Sequence, residues 1–385
     1  MTILPEQPET ADRPGELRAL ARLFLRLGTI AFGGPAAHIA MMEDEVVRRR
    51  KWLTHDDFLD MISACNLIPG PNSTEMAIHI GQRRAGFAGL AVAGICFIVP
   101  AALITTALAW AYVAYGRMPQ VAGILYGVKP VIIAVVVQAI GRLARSVLRT
   151  RLLVGLTVAA TAAAFAGADE MVILFAAGAS VIVARRLRGE LGGAVAAVGA
   201  VKTGVIAAVP FSLGALLLFF LKIGAILFGS GYVLLAFLQA DLVDRMHWLT
   251  QSQLLDAVAI GQVTPGPLSS TATFIGYVLG GPRGAALATV GIFLPAFFFV
   301  SISGPLLPRL RRSPLAGAFL DGVNAGSFAL MVTVTWQLGR AAIVDTTTLV
   351  LAAASALLLL RFRLNSAWLI LLGATVGGLA TITTR

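Results

Sequence analysis

Charge is what this sequence has least of. Of 385 residues only 13% are Asp, Glu, Lys or Arg, against 58% hydrophobic residues, a balance far outside the soluble globular norm. Cysteine is nearly absent as well. Cys65 and Cys96 both lie in apolar stretches without ligand-like spacing, so they read as packing residues and say nothing about redox compartment. There is no Gly-x-x-x-x-Gly-Lys phosphate loop, so nucleotide hydrolysis is not the chain's own energy source. No nucleophile or metal-ligand cluster stands beside the few titratable apolar-region residues, which argues against an enzyme and calls for no cofactor or metal. The alternating segments of a transmembrane β-barrel are missing. The first 18 or so residues form a polar tail without the apolar core of a signal peptide.

What is present is long solid apolar runs, such as Phe87 to Ala114, Gly284 to Gly304 and Thr347 to Leu360 with its flanks. Each is near or beyond the roughly 20 residues that span a bilayer as a helix. The chain therefore reads as an all-α polytopic membrane protein, with the lipid bilayer as its surroundings. Its 30 basic residues against 19 acidic ones sit mostly in short loops, a positive-inside signal that removes the need for nucleic acid as a partner.

The chain is also written twice. Phe24-Leu25-Arg26-Leu27-Gly28-Thr29-Ile30-Ala31-Phe32-Gly33 is matched by Phe220-Leu221-Lys222-Ile223-Gly224-Ala225-Ile226-Leu227-Phe228-Gly229. Trp52-Leu53-Thr54 matches Trp248-Leu249-Thr250, and Gly127-Val128 matches Gly322-Val323. The expected division is a polar tail over 1–19, a first repeat over 20–186, a Gly-rich linker over 187–215 and a second repeat over 216–385. Each repeat reads as a Gly-kinked apolar helix (21–42; 216–240), a polar connection ending in Trp-Leu-Thr, a broken segment (56–80; 252–279) and four further apolar helices.

The broken segments carry Pro69-Gly70-Pro71 and Pro265-Gly266-Pro267. Proline ends one helix and suits the first turn of the next, and broken helices at matching places in two halves are the usual pointer to a transport site. The basic clusters Arg48 to Lys51, Arg83-Arg84, Arg142 to Arg151 and Arg185 to Arg188 share one side only if the broken segment enters and leaves on that side. The charge pattern inverts in the second half, which predicts an inverted two-fold repeat of about ten spanning helices plus two re-entrant broken ones. That scheme sets the N-terminal tail outside, against the preference of Arg18, Arg22 and Arg26 for the cytoplasm.

Helix N-termini offer amide hydrogens and partial positive charge to anions. Asn72, Ser73 and Thr74 after the first break, with Ser269 and Ser270 after the second, are the expected anion cradles. Their bland alternative is plain helix capping. Lys129, beside Pro130 in an apolar helix, is the candidate cation, or else a snorkelling lysine. Glu75 and His79, four apart on one helix face, are candidate coupling residues. A Glu75 pair with Arg83 or Arg84 is the structural alternative. Arg83 and Arg84 are positive-inside anchors or an entrance for substrate, and His38 is an oxyanion donor or a satisfied buried histidine.

Phe32-Gly33-Gly34-Pro35, Arg48-Arg49-Arg50-Lys51-Trp52-Leu53, Pro69-Gly70-Pro71 with Asn72-Ser73-Thr74-Glu75, His79-Ile80-Gly81, Arg83-Arg84-Ala85-Gly86 and Gly127-Val128-Lys129-Pro130 together resemble the chromate ion transporter family in its duplicated two-half form. The second half departs from this pattern, with Ser230-Gly231 for Gly34-Pro35 and Thr271 for Glu75. The resemblance implies a multi-pass protein of the bacterial plasma membrane that exports chromate, with sulfate as a competing dianion. Membrane potential alone or with protons would drive it, and a homodimer is allowed. An anion channel or a lipid or polyprenyl flippase on the same re-entrant repeats stays open as the alternative.

Overall fold

A computed structural model describes residues 13–32, 34–116, 118–190, 210–228, 231–362, 364 and 366–383. The expectations for residues 1–12 of the tail and for 191–209 of the linker lie outside the described residues. Among the described residues there is no strand. The helices are α1 Arg13–Ile30, α2 Gly34–Glu43, α3 His55–Cys65, α4 Asn72–Tyr115, α5 Pro119–Val147, α6 Arg151–Phe165 and α7 Glu170–Leu187. The second half repeats the order with α8 Leu213–Ile226, α9 Leu234–Phe237, α10 Gln251–Val263, α11 Thr271–Arg312, α12 Pro314–Ala342, α13 Thr346–Arg361 and α14 Ser366–Thr383. α2 and α9 each run on into a π-helical turn, Asp44–Arg49 and Leu238–Arg245. Among the described residues four helical stretches, in α4, α5, α11 and α12, are long and apolar enough to cross a membrane.

The Trp-Leu-Thr motif has a local explanation. Lys51 and His247 both take the left-handed backbone (φ 53 each) that closes the π-helical turn, and three residues later a threonine caps the next helix. Thr54 Oγ1 accepts from the Asp57 amide at 3.1 Å, and Thr250 Oγ1 accepts from the Gln253 amide at 3.2 Å within a full capping box. Each cap satisfies a donor that the first turn leaves orphaned.

α4 and α11 are not single rods. Ala85 and Gly86 leave the helical region, Gly86 at φ 62, and Gly280 and Gly281 do the same, Gly281 at φ 60. The chain turns back on itself there. Gly81 faces the carbonyl of Gly89 across the turn so closely that a methyl on either would collide with the other's backbone, and Gly276 faces Gly284 likewise. We call the limbs α4a (72–84) and α4b (87–115), and α11a (271–279) and α11b (282–312).

The ion pairs show where these limbs end. Arg83 at the end of α4a lies 3.7 Å from Asp57 at the start of α3, so α3 and α4a form a hairpin with Pro69-Gly70-Pro71 at its tip. Arg84 lies 3.2 Å from Glu16 at the start of α1 and stacks over Trp52 at 5.3 Å. Arg26 reaches back from α1 to Glu45 at 3.2 Å. α1 with α2 is therefore a second hairpin that opens on the same face. α8 with α9 does the same in the other half, where Lys222 meets Asp241 at 3.2 Å. The Gly-kinked first helix of each half is thus a hairpin, because the backbone breaks at Ala31 and Phe32. This places the start of α1 on the Arg83-Arg84 face, where the arginines of the tail side belong, and resolves the charge conflict of the sequence scheme.

The relation of the two halves is visible in the packing. Gly94 of α4b meets the Phe297 ring of α11b, and Gly70 sits beside Ala296 while its counterpart Gly266 sits beside Ala101. α4b and α11b, the corresponding limbs of the two halves, thus pack on each other, and each Pro-Gly-Pro tip meets the equivalent alanine of the opposite limb. The remaining helices interlock: α5 packs with α13 and α14, and α12 packs with α6 and α7. Small residues allow the close approach, with Gly127 against Gly373 and Gly377, and Gly322 against Ala177 and Gly178. Such small-residue contacts are how helices associate where no hydrophobic drive separates protein from lipid.

Gly86→Val should lower the apparent thermal midpoint in detergent, since a branched side chain at φ 62 costs about 1–2 kcal/mol. Phe87→Ala, whose ring is 71% exposed, should leave it unchanged. Equal losses for the two would show that the turn carries no special backbone demand.

Candidate functional site

The four hairpin tips meet inside the molecule. The Gly70 amide donates to the Leu227 carbonyl at 2.7 Å, and the Gly266 amide donates to the Ala31 carbonyl at 2.9 Å. Each Pro-Gly-Pro tip is thereby bonded to the first-hairpin tip of the opposite half. Gly231 packs against its own counterpart Pro35 and against Leu268, which marks the approximate two-fold axis. Polar backbone that proline has released from helices is satisfied there by the other half of the chain.

Ser73 and Thr74, and Ser269 and Ser270, stand directly after the tips and are all buried. The Thr74 and Glu75 amides bond back to the Pro71 carbonyl at 2.8 and 3.0 Å, and the Ser270 amide bonds to Pro267 at 2.9 Å. These inner donors are spent within their own turns. The amides of Ser73 and Ser269 are not drawn back in this way. Two hydroxyls at equivalent positions, Thr74 Oγ1 and Ser270 Oγ, are buried without a hydrogen-bond partner among the described residues. An orphaned hydroxyl in such a place is costly unless something else fills its valence. Asn72 Nδ2 donates to Asn66 Oδ1 at 3.1 Å on the accessible side of the first tip.

Glu75 is fully buried, beneath Gly70, and neither carboxylate oxygen has a hydrogen-bond partner among the described residues. Neither expected arginine reaches it, since Arg83 is held by Asp57 and Arg84 by Glu16 and Trp52. His79 one turn on has an Nε2 without a hydrogen-bond partner among the described residues. The second half offers Thr271 in place of the acid, its hydroxyl bonded to the Leu268 carbonyl at 2.9 Å. His38 Nε2 lies 3.1 Å from the same Ala31 carbonyl that receives Gly266, so Nε2 carries the proton and the ring braces a tip.

Lys129 is engaged elsewhere. Its Nζ lies 3.0 Å from Asp256 Oδ1 and 2.8 Å from Ser252 Oγ, both on α10, while Tyr112 OH donates to Asp256 Oδ2 at 2.9 Å. Its charge is already compensated by a carboxylate of the opposite half.

The charge centres that sequence reading did not single out are Glu45 and Asp241. Glu45 receives Arg26, Arg49 and Arg50 at 3.2, 3.5 and 3.2 Å. Asp241 receives Lys222 and Arg245, and Arg245 also reaches Asp169 at 3.1 Å and Glu170 at 3.3 Å. The signal was present: acid and base recur in both halves, nineteen positions apart. A cavity of about 320 Å³ opens beside Arg26, Asp44, Glu45 and Arg49, and one of about 360 Å³ opens beside Gln239, Asp244, Arg245 and Glu170.

The family model described as chromate transporter matches residues 18–183 and 214–378. A chromate transport protein of Cupriavidus metallidurans is 32% identical over 371 residues, covering 94% of this chain and 92% of that protein. One of Pseudomonas aeruginosa is 34% identical over 347 residues, covering 86% and 83%. A probable chromate transport protein of Synechococcus elongatus is 29% identical over 348 residues, covering 86% and 87%. No solved structure matches the chain.

Two acids of the first half should respond oppositely to neutralisation. Glu45→Gln strips the shared counter-ion from three arginines and should cost about 1–3 kcal/mol of stability. Glu75→Gln removes a carboxylate that has no partner to lose and should leave the thermal midpoint unchanged or higher. A large destabilisation by Glu75→Gln would mean that the carboxylate is bonded in the protein in solution.

Proposed function

Because the chain belongs to the chromate transporter family, we propose that it exports chromate from the cytoplasm as a secondary transporter, with the substrate held between the two Pro-Gly-Pro tips. The observation that carries this reading is the pair of reciprocal tip bonds, Gly70 to Leu227 and Gly266 to Ala31, flanked by orphaned hydroxyls on Thr74 and Ser270. Tips that meet between two inverted halves are where a transporter needs its site. A tetrahedral oxyanion accepts hydrogen bonds from many directions, and Ser73, Thr74, Ser269 and Ser270 supply hydroxyl donors from two sides. Asn72 adds an amide side chain on the accessible side. The helix N-termini at both tips contribute partial positive charge. Sulfate has the same shape and charge and competes for the same donors.

The positive-inside rule assigns the Arg83-Arg84 face to the cytoplasm of a bacterial inner membrane. Both arginines stand at the mouth of the first hairpin, where an anion entering from that side meets them. Outward movement of a dianion down an inside-negative potential of 100 mV gains about 4.6 kcal/mol, so no chemical energy source is required.

Glu75 is the coupling residue in this reading. A negative carboxylate beside an anion site repels the substrate, whereas a neutral one does not, so chromate and a proton on Glu75 would be bound together or exchanged. His79, one turn further along the same face, offers the proton its next stop.

Chromate uptake into everted membrane vesicles tests the reading. Saturable uptake that is inhibited by sulfate and reduced at least about tenfold in Ser73→Ala/Ser269→Ala is the expected outcome, since each lost donor to a charged ligand is worth about 1.5–3 kcal/mol. Glu75→Gln should abolish the response to a pH gradient while uptake driven by potential continues. No uptake above empty vesicles would sink the chromate reading, and an unchanged pH response would remove Glu75 from the mechanism.

A further inference from the structure

The two Pro-Gly-Pro hairpins have nearly the same backbone and very different surroundings. α10 packs against α5 and α12, whereas α3 leans on its own partner limb. Equivalent residues show the result: Leu59 is 46% exposed and Leu255 is 1% exposed. One face of α3 carries Asp56, Asp60, Ser63 and Asn66, all exposed. Four polar side chains in a row cannot face lipid acyl chains, so this face borders water. It leads from the Arg83 end of the hairpin down to Asn72 at the tip. On α10 the equivalent face carries Ser252, Asp256, Ala259 and Gln262, of which Ser252 at the helix start is exposed, Asp256 and Ala259 are buried and Gln262 is half-buried. Lys129 of α5 sits on Ser252 and Asp256, and Tyr112 of α4b closes over the same carboxylate.

Resting on the transport reading above, we propose that Lys129, Asp256 and Tyr112 form the gate that seals the face opposite Arg83-Arg84, where α10 begins after Trp248. The structure is the state open to the Arg83-Arg84 face, and its opposite is made by exchanging the surroundings of the two hairpins. In that second state α12 swings onto α3, bringing Asn324, the counterpart of Lys129, to Asp60, the counterpart of Asp256. Lys129 then releases Asp256, and the polar face of α10 opens to the other side of the membrane. Inverted repeats supply this exchange without new parts, because each contact made by one half is available in mirrored order to the other. The gate is unequal by composition. A lysine and a tyrosine hold Asp256, but only an asparagine is offered to Asp60, so the state seen here is the one held by an ion pair.

The residue pairs 63 and 259 report the two routes. Cysteine is placed at Ser63 or Ala259 in a background with Cys65→Ala and Cys96→Ala, and full-length protein in sealed vesicles of known orientation is labelled with a membrane-impermeant thiol reagent. In the parent, Ser63→Cys should label from the Arg83-Arg84 face and Ala259→Cys should be protected from the opposite face. Lys129→Met should speed labelling at 259 at least about tenfold and slow it at 63, because a broken buried ion pair shifts the two-state balance. The charge reversal Lys129→Asp with Asp256→Lys should restore the parent pattern. Unchanged labelling in Lys129→Met, increased labelling at both positions, or no restoration by the reversal would each overturn the gate, the second by showing a merely structural pair. No substrate is used, so the outcome is independent of whether chromate is the cargo.

Discussion

Two backbone hydrogen bonds hold the centre of this molecule. Gly70 to Leu227 and Gly266 to Ala31 tie the tip of each Pro-Gly-Pro hairpin to the opposite half. In hydrocarbon a chain cannot leave helical geometry unless its freed amides and carbonyls find partners. Here each half breaks its helices twice, and at both Pro-Gly-Pro tips the partner is the other copy. A single repeat would expose these groups to lipid. A second repeat as partner is therefore a physical requirement of the broken helices; in this chain duplication supplies it, and it fixes the four tips around one axis near Pro35 and Gly231.

The same exchange governs the spanning helices. α5 lies among α13 and α14, and α12 among α6 and α7, so neither half has a bundle of its own. Glycine faces glycine or alanine at the closest approaches, Gly127 to Gly373 and Gly322 to Ala177. A movement of α5 relative to α10 must then be accompanied by movement of the helices threaded around it. Coupling between the two faces needs no special relay, because the halves share their packing.

Much of this could be read from residues alone. The repeat was legible because Trp-Leu-Thr performs one local task twice, closing a left-handed turn and capping a helix, and local tasks leave fixed spacings. The Pro-Gly-Pro tips were legible because proline dictates a break whatever surrounds it. The hairpin character of α1 and α2 was not, since an apolar run with a glycine near its middle is compatible with a kink or with reversal. The choice is made by the distant partners of Ala31 and by the Arg26 to Glu45 pair. Asp256 was hidden for a similar reason. A lone aspartate six residues past a polar connection looks like loop charge, and only the packing of one half on the other brings Lys129 and Tyr112 to it from more than a hundred residues away.

Symmetry of backbone with asymmetry of side chains gives the exchange of contacts a preferred resting state, while the gradients set the direction of flux. If both tips and both gates were identical, the two states would have equal energy and the protein would spend equal time open to either side. Glu75 against Thr271, and the Lys129 to Asp256 pair against Asn324 and Asp60, break that equality while leaving the exchange of contacts intact. The first difference puts a carboxyl group beside one Pro-Gly-Pro tip only. The second gives a lysine to Asp256 where the repeat offers Asp60 an asparagine, so in the proposed gate the resting state is defined before substrate arrives. Under the proposed site, an oxyanion at the tips would act on a balance of a few kcal/mol, the scale on which hydroxyl donors such as Ser73, Thr74, Ser269 and Ser270 would decide which state prevails.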